Sequence, residues 1–95
     1  MSEWIIRYHH EALTRDLPRL DPSIRAIIRK AVNTKLAASP EIFGKPLKGT
    51  LKGLWSLRVG DWRVIFRMQD REVLIVTIGH RRDVYDYLKK KADWH

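Results

Sequence analysis

A chain of 95 residues is long enough for one compact domain (residues 1–95) around a modest core, and too short for two. Its composition, 44% hydrophobic and 32% charged, excludes extended disorder, and the absence of cysteine excludes disulfides, thiolate catalysis and cysteine-held zinc. Nineteen Lys and Arg against eleven Asp and Glu leave a formal charge of +8, which points to an anionic partner such as nucleic acid, an acidic protein or a membrane surface.

Residues 1–12 hold only a short apolar run with no basic leader, so neither a secretory signal nor a membrane span is expected, and the protein is read as soluble and cytoplasmic. Trp4-Ile5-Ile6-Arg7-Tyr8, aromatic and β-branched, predicts a first strand that joins a sheet from the side. Leu13, Leu17 and Leu20 follow at helical spacing, and Pro18 ends or bends that helix. Asp21-Pro22 opens a second helix, whose stripe of Ile24, Ile27, Ile28, Ala31, Val32 and Leu36 predicts a helical hairpin lying on one sheet face.

From residue 37 to residue 53 the Gly and Pro signals predict a long loop, made basic by Lys45, Lys48 and Lys52. A β-hairpin comes next, turning at Gly60-Asp61 with Gly where a type II′ turn requires it. Counting from that turn pairs Arg58 with Arg63. It puts Trp55, Leu57, Val59, Trp62, Val64 and Phe66 on the core face, and Ser56, Arg58, Arg63, Ile65 and Arg67 on a face expected to be open. Like charges placed opposite each other destabilise a sheet unless an anion lies across them, although Asp61 or Glu72 could also neutralise them as surface pairs.

Residues 69–72 make a second turn. The strand from Val73 to Ile78 is apolar on both faces, hence central, and by the parity of this hairpin Gly79-His80-Arg81-Arg82 leaves the sheet near Arg58 and Arg63. Asp83 caps a last helix that carries Tyr85 and ends in Lys89-Lys90-Lys91, a usual dipole-complementing end. Trp55 and Trp62 are expected in the core, Trp4 at the sheet edge, and Trp94 loose or against a partner. The fold class is therefore α+β, a small, mainly antiparallel sheet in the order β-α-α-β-β-β-α.

Two blocks, residues 54–66 (LWSLRVGDWRVIF) and 78–85 (IGHRRDVY), together with that element order, resemble the RelE/ParE superfamily of bacterial and archaeal toxins over nearly the whole chain. In its RelE branch the resemblance implies an mRNA interferase, a ribosome-dependent endoribonuclease that cuts messenger RNA and is held inactive by a cognate antitoxin. In its ParE branch it implies a non-nuclease toxin that poisons DNA gyrase; a third possibility is an inactive member that binds nucleic acid. Arg63 stands at the family's strand arginine that contacts the scissile phosphate, Arg81 at its second essential arginine, and Tyr85 at the tyrosine that orients the nucleotide. The family's two alternating basic positions before the turn fall on Ser56 and Arg58, of which only Arg58 is basic.

Metal-independent RNA cleavage needs a base, an acid and positive charge on the phosphorane oxygens. Arg58, Arg63 and Arg81 supply the charge in a geometry that matches phosphate. Arginine is a poor base, so proton transfer falls to the imidazole of His80, or to Lys48 or Lys52 if a cationic surround favours their neutral form. His80 could equally be a hydrogen-bonding residue at a strand end. Lys45, Lys48, Lys52, Arg67 and Arg82 are expected to bind RNA. His9-His10 and the Asp83/Asp86 pair are poor metal ligands, and no metal or cofactor is expected.

Overall fold

The computed structural model of the chain, which describes residues 3–91, is a mixed α+β fold on one five-stranded sheet. Strand β1 (Ile5–Tyr8) leads into a helix that is π-wound over Ala12–Asp16 and tightens into α1 (Leu17–Arg19). Helix α2 (Pro22–Ala31) likewise runs into a π-helical stretch, Val32–Leu36. There follow α3 (Pro40–Phe43), β2 (Lys45–Pro46), a 3₁₀ turn at Gly49–Leu51, β3 (Trp55–Val59), β4 (Trp62–Gln69), β5 (Glu72–His80) and α4 (Val84–Lys90). The strand order is β1-β5-β4-β3-β2, with β1 parallel to β5 and every other pairing antiparallel.

The expected loop over residues 37–53 is corrected here, because it contains α3 and the edge strand β2. Two residues leave no alternation to read, and an edge strand tolerates the missing N–H of Pro46. Trp94 lies outside the described residues.

Both hairpins turn where expected. Gly60 takes φ +61° while Asp61 stays out of the left-handed region, as a type II′ turn requires; Asp70 (φ 53°) and Arg71 (φ 67°) both enter it, which makes the second turn type I′. The first hairpin pairs Val59 with Trp62 and Arg58 with Arg63. The second starts in regular register from Gln69 opposite Glu72, then slips: Phe66 faces Ile75 but Ile65 faces Thr77, leaving Val76 as the extra residue of a β-bulge. Beyond it, Val64 faces Ile78, Arg63 faces Gly79 and Trp62 faces His80.

The helices pack Leu17, Leu20, Ile28, Val32 and Leu36 onto Leu57, Val64, Phe66, Val73, Ile75 and Ile78 of the sheet. Leu13 is 46% exposed, against expectation, because the π-wound turn rotates Ala12 and Asp16 inward in its place. Trp55 and Trp62 are only partly buried at the margin of this core, as is Trp4. The opposite sheet face is not open as expected. Ile65 and Val76 are buried there beneath Val84 and Leu88 of α4 and Leu51 and Leu54 from the β2–β3 connection. Both layers bear on the site, since the second carries Tyr85.

Gly44, between α3 and β2, is a close-approach position: a Cβ there would lie 2.6 Å from Phe66 Cζ and 2.9 Å from the Pro40 carbonyl oxygen. Phe66 is fully buried and the Pro40 oxygen is backbone, so neither yields easily. Gly44→Ala is expected to destabilise the fold by about 1–3 kcal/mol, read as a lower midpoint in urea unfolding at unchanged slope.

Candidate active site

The β3–β4 hairpin sets out the basic residues. Val59 and Trp62 flank the two-residue turn as a hydrogen-bonded pair, so Arg58 and Arg63 form the next, non-hydrogen-bonded pair, in which side chains stand closest. Arg58 is exposed and forms no ion pair among the described residues. The two acids that could have neutralised the pair are engaged elsewhere: Glu72 lies 3.7 Å from Arg7, and Asp61 lies 3.8 Å from Arg81. Arg63 instead turns its guanidinium to carbonyl oxygens, donating from Nη1 to Gly60 and to Trp62 at 2.9 Å each. Arg81 is tied to the same turn, its N–H donating to the Asp61 carbonyl at 2.8 Å. Three arginines therefore gather around residues 58–63.

Helix α4 adds the tyrosine. Gly79 lies opposite Arg63, and a Cβ on it would come within 3.1 Å of Val84 Cβ, so the bare glycine lets α4 settle closely on the strand end. Val84 and Leu88 are buried on Ile65 and Val76. From that seat the Tyr85 hydroxyl lies 3.2 Å from Ser56 Oγ. Ser56 and Arg58 share a face, two residues or roughly 7 Å apart along β3. Asp83 occupies the N-cap position without a side-chain hydrogen bond to the helix, so its expected capping role is not fulfilled.

His80 is not brought to this cluster. It lies across from Trp62, on the face toward the helical hairpin, with its ring edge-on to the indole at 5.5 Å between centroids. Its Nδ1 accepts the Arg82 N–H at 3.2 Å, a strand-end hydrogen bond. The cause is the bulge at Val76: an unbroken ladder would have put His80 on the arginine face, and one extra residue reverses the parity. His80 instead lines a cleft of about 340 Å³ with Arg15, Asp16, Arg19, Trp62 and Tyr87.

The other basic candidates divide. Lys45 is paired directly with Ser56, which gives the two residues the same sheet face. Lys48, Lys52 and Arg82 are exposed on the connections before β3 and after β5. Arg67 lies toward the far end of β4, beside Arg7, Glu72 and Leu74, away from the hairpin turn. Sequence reasoning missed the placement of Lys45 and the Ser56–Tyr85 contact, since both depend on tertiary pairing. Among the described residues no three His, Asp or Glu side chains gather as a metal site would need. No helix of the described residues is long and apolar enough to cross a membrane.

A family model, the ParE toxin of the type II toxin-antitoxin system parDE, matches residues 6–85. The chain belongs to this toxin family. It is 37% identical over 73 residues to the toxin RelG of Mycobacterium tuberculosis, covering 75% of this chain and 84% of the relative. To the toxin RelE of the same organism it is 39% identical over 83 residues, covering 81% and 86% respectively. Its fold matches a chain in the crystal structure of the toxin-antitoxin complex RelBE2, also from M. tuberculosis, with a TM-score of 0.80 at 34% identity, over 87% of this chain and 97% of the other. Both names in the expected RelE/ParE superfamily are thus met, one by the family model and the other by the relatives. The matched span contains Arg58, Arg63, Arg81 and Tyr85, and ends at Tyr85.

Proposed function

We propose that this toxin is an mRNA interferase, a ribosome-dependent endoribonuclease of the cytoplasm neutralised by a cognate antitoxin. The observation that carries the reading is the Arg58–Arg63 pair. It is directly opposed on one sheet face with no acid among the described residues paired to it, while Arg81 is held at the adjoining turn and the Tyr85 hydroxyl contacts Ser56, two residues from Arg58 on the same face. Such a pair costs the sheet stability, and a phosphate lying across it reverses the sign of that interaction.

In the reaction a ribose 2′-oxygen attacks the adjacent phosphorus while the 5′-oxygen leaves, giving a cyclic phosphate and a 5′-hydroxyl. The 2′-hydroxyl proton goes to a base and the leaving oxygen takes one up. Arg58, Arg63 and Arg81 hold the phosphorane charge, Tyr85 orients the nucleotide, and the ribosome holds the message so that the 2′-oxygen is in line. On this face the Tyr85 hydroxyl and, on the neighbouring strand, the Lys45 ammonium can supply the proton that the leaving 5′-oxygen takes up, and solvent water takes the 2′-hydroxyl proton. The names of the RelE relatives support the nuclease branch, and the toxin-antitoxin complex formed by RelBE2 supports an antitoxin partner.

The test is primer extension on a message translated by purified ribosomes, with native protein beside Arg81→Ala. Cuts within codons that require ribosomes and disappear in the variant are expected. The family model's ParE description favours a second reading, a gyrase-directed toxin without nuclease activity. Uncut message together with gyrase-dependent DNA breaks in a parallel assay would replace the first reading by the second.

A further inference from the structure

Helix α4 is held by more than its apolar face, and the additional grip comes from the first helix. Glu11 Oε1 accepts the Tyr87 hydroxyl at 2.8 Å, and its Oε2 accepts Lys91 Nζ at 2.7 Å. Arg15 donates from Nη1 to the Tyr87 oxygen, and lies 3.6 Å from Glu11. Arg15 is itself fixed from below, its Nε donating to the buried Asp16 carboxylate at 2.9 Å. Two elements far apart in the chain are joined by one polar latch.

The helical geometry gives this latch a particular effect. A helix advances about 100° per residue, so Tyr85 and Tyr87 lie about 80° to either side of the buried Val84/Leu88 stripe. One tyrosine reaches Ser56 on β3 and the other reaches Glu11 and Arg15. Apolar contacts along the stripe resist lifting of the helix but are weakly directional about its axis. Seven residues are moreover too few to be a stable helix unaided. Holding Tyr87 fixes the rotation of α4, and with it the position of the Tyr85 hydroxyl.

We propose that Glu11 and Arg15 are positioning residues for Tyr85, acting through Tyr87 and Lys91; this rests on the nuclease reading above. They touch no substrate. Their role is to hold α4 at the rotation that presents Tyr85 beside Ser56 and the arginines. The latch is charged at working pH, because hydrogen bonds from Lys91 and then Tyr87 lower the Glu11 carboxyl to about 2. A depressed carboxylate contributes stability above its unfolded value near about 4.3 and loses it as pH falls toward the folded one. The difference in melting temperature between native protein and Glu11→Gln should therefore be equal at pH 6 and pH 8, and shrink below pH 4.

The deciding experiment measures single-turnover mRNA cleavage on purified ribosomes and, separately, ribosome affinity by co-sedimentation. Hydrogen exchange of the α4 amides is followed on the same samples. Glu11→Ala is expected to slow cleavage by about ten- to a hundredfold, the effect of a misplaced orienting group, with ribosome affinity within about twofold of native. The α4 amides should exchange faster. Glu11→Lys and Lys91→Glu should each be slow, and the two together should recover only part of the rate, since the swap restores the ion pair across the latch but leaves the Tyr87 hydroxyl without its carboxylate acceptor. Native-rate cleavage by Glu11→Ala, or affinity falling in step with rate, would overturn the positioning role alone. A native protein that cuts no message overturns the nuclease reading, and this role with it.

Discussion

Arg63→Ala is expected to lower the single-turnover rate of ribosome-dependent cleavage by on the order of 10²–10³-fold, the usual cost of removing one donor to a transition-state oxyanion. Arg63 suits that role because its neighbours do not consume it. Its Nη1 spans the Gly60 and Trp62 carbonyls, which fix the plane of the guanidinium while leaving its charge uncompensated by any acid among the described residues. Arg63→Lys keeps the charge but not the planar fork, so it should recover only part of the loss. Arg58→Ala serves as the comparison. It removes the like charge across the ladder, so the sheet should gain slightly in stability even as cleavage falls. That opposition of signs is the diagnostic result. A cleavage rate for Arg63→Ala within about threefold of native, on a mutant that still binds ribosomes, would remove Arg63 from the phosphate site.

Asp16→Ala should produce the largest loss of stability. Strand β1 covers β5 only from Glu72 to Ile75, which leaves the edge of the C-terminal half of β5 without a partner strand. The Asp16 side chain fills that vacancy: Oδ2 accepts the Ile78 N–H at 3.1 Å and the Thr77 hydroxyl at 2.7 Å, while Oδ1 accepts Arg15 Nε. Asp16 is 8% exposed and Thr77 2%, so truncation strands a buried backbone donor, takes the acceptor from a buried hydroxyl, and removes one of the partners of the Arg15 guanidinium. The expected cost is about 2–4 kcal/mol, or roughly 10–20 °C in melting temperature for a domain of this size. Asp16→Asn, which keeps one acceptor oxygen, should lose about half as much. Thermal unfolding by circular dichroism measures both; a shift under about 3 °C for the alanine variant would mean that water replaces the carboxylate at the strand edge.

How much of this was legible in the sequence depended on whether the signal was local. The hairpin at Gly60-Asp61 has a turn residue with one conformational reason to be there, and from it the Arg58–Arg63 register followed by counting. The stripe on α2, apart from Ile27, which is 55% exposed, and the alternation of β3 and β4 gave the helix-covered face in the same way. His80 went to the wrong face because counting cannot see a bulge. The run from Val73 to Ile78 is apolar at nearly every position, so adding one residue at Val76 leaves no mark on the pattern while it inverts everything after it. The second core was hidden for a related reason: Ile65 sits among arginines in the alternation, and only the return of α4 reveals that it is buried. Glu11, Arg15, Tyr87 and Lys91 are unremarkable as single charges and become a latch only through contacts across the whole chain.

The pairing of β1 with β5 sets an order in time. Every strand contact that frames the arginines belongs to neighbours in sequence, β3 with β4 and β4 with β5, whereas Ile5 must find Glu72. Contacts of that separation carry the largest closure entropy and form late. During synthesis the N-terminal segment emerges first, yet it waits on the order of seconds for its partner strand to be made. The β3–β4 hairpin needs only sequence neighbours to pair, whereas the outer backbone of β5 is sealed only when β1 and Asp16 arrive. Until then the β5 edge is open to pairing with another chain.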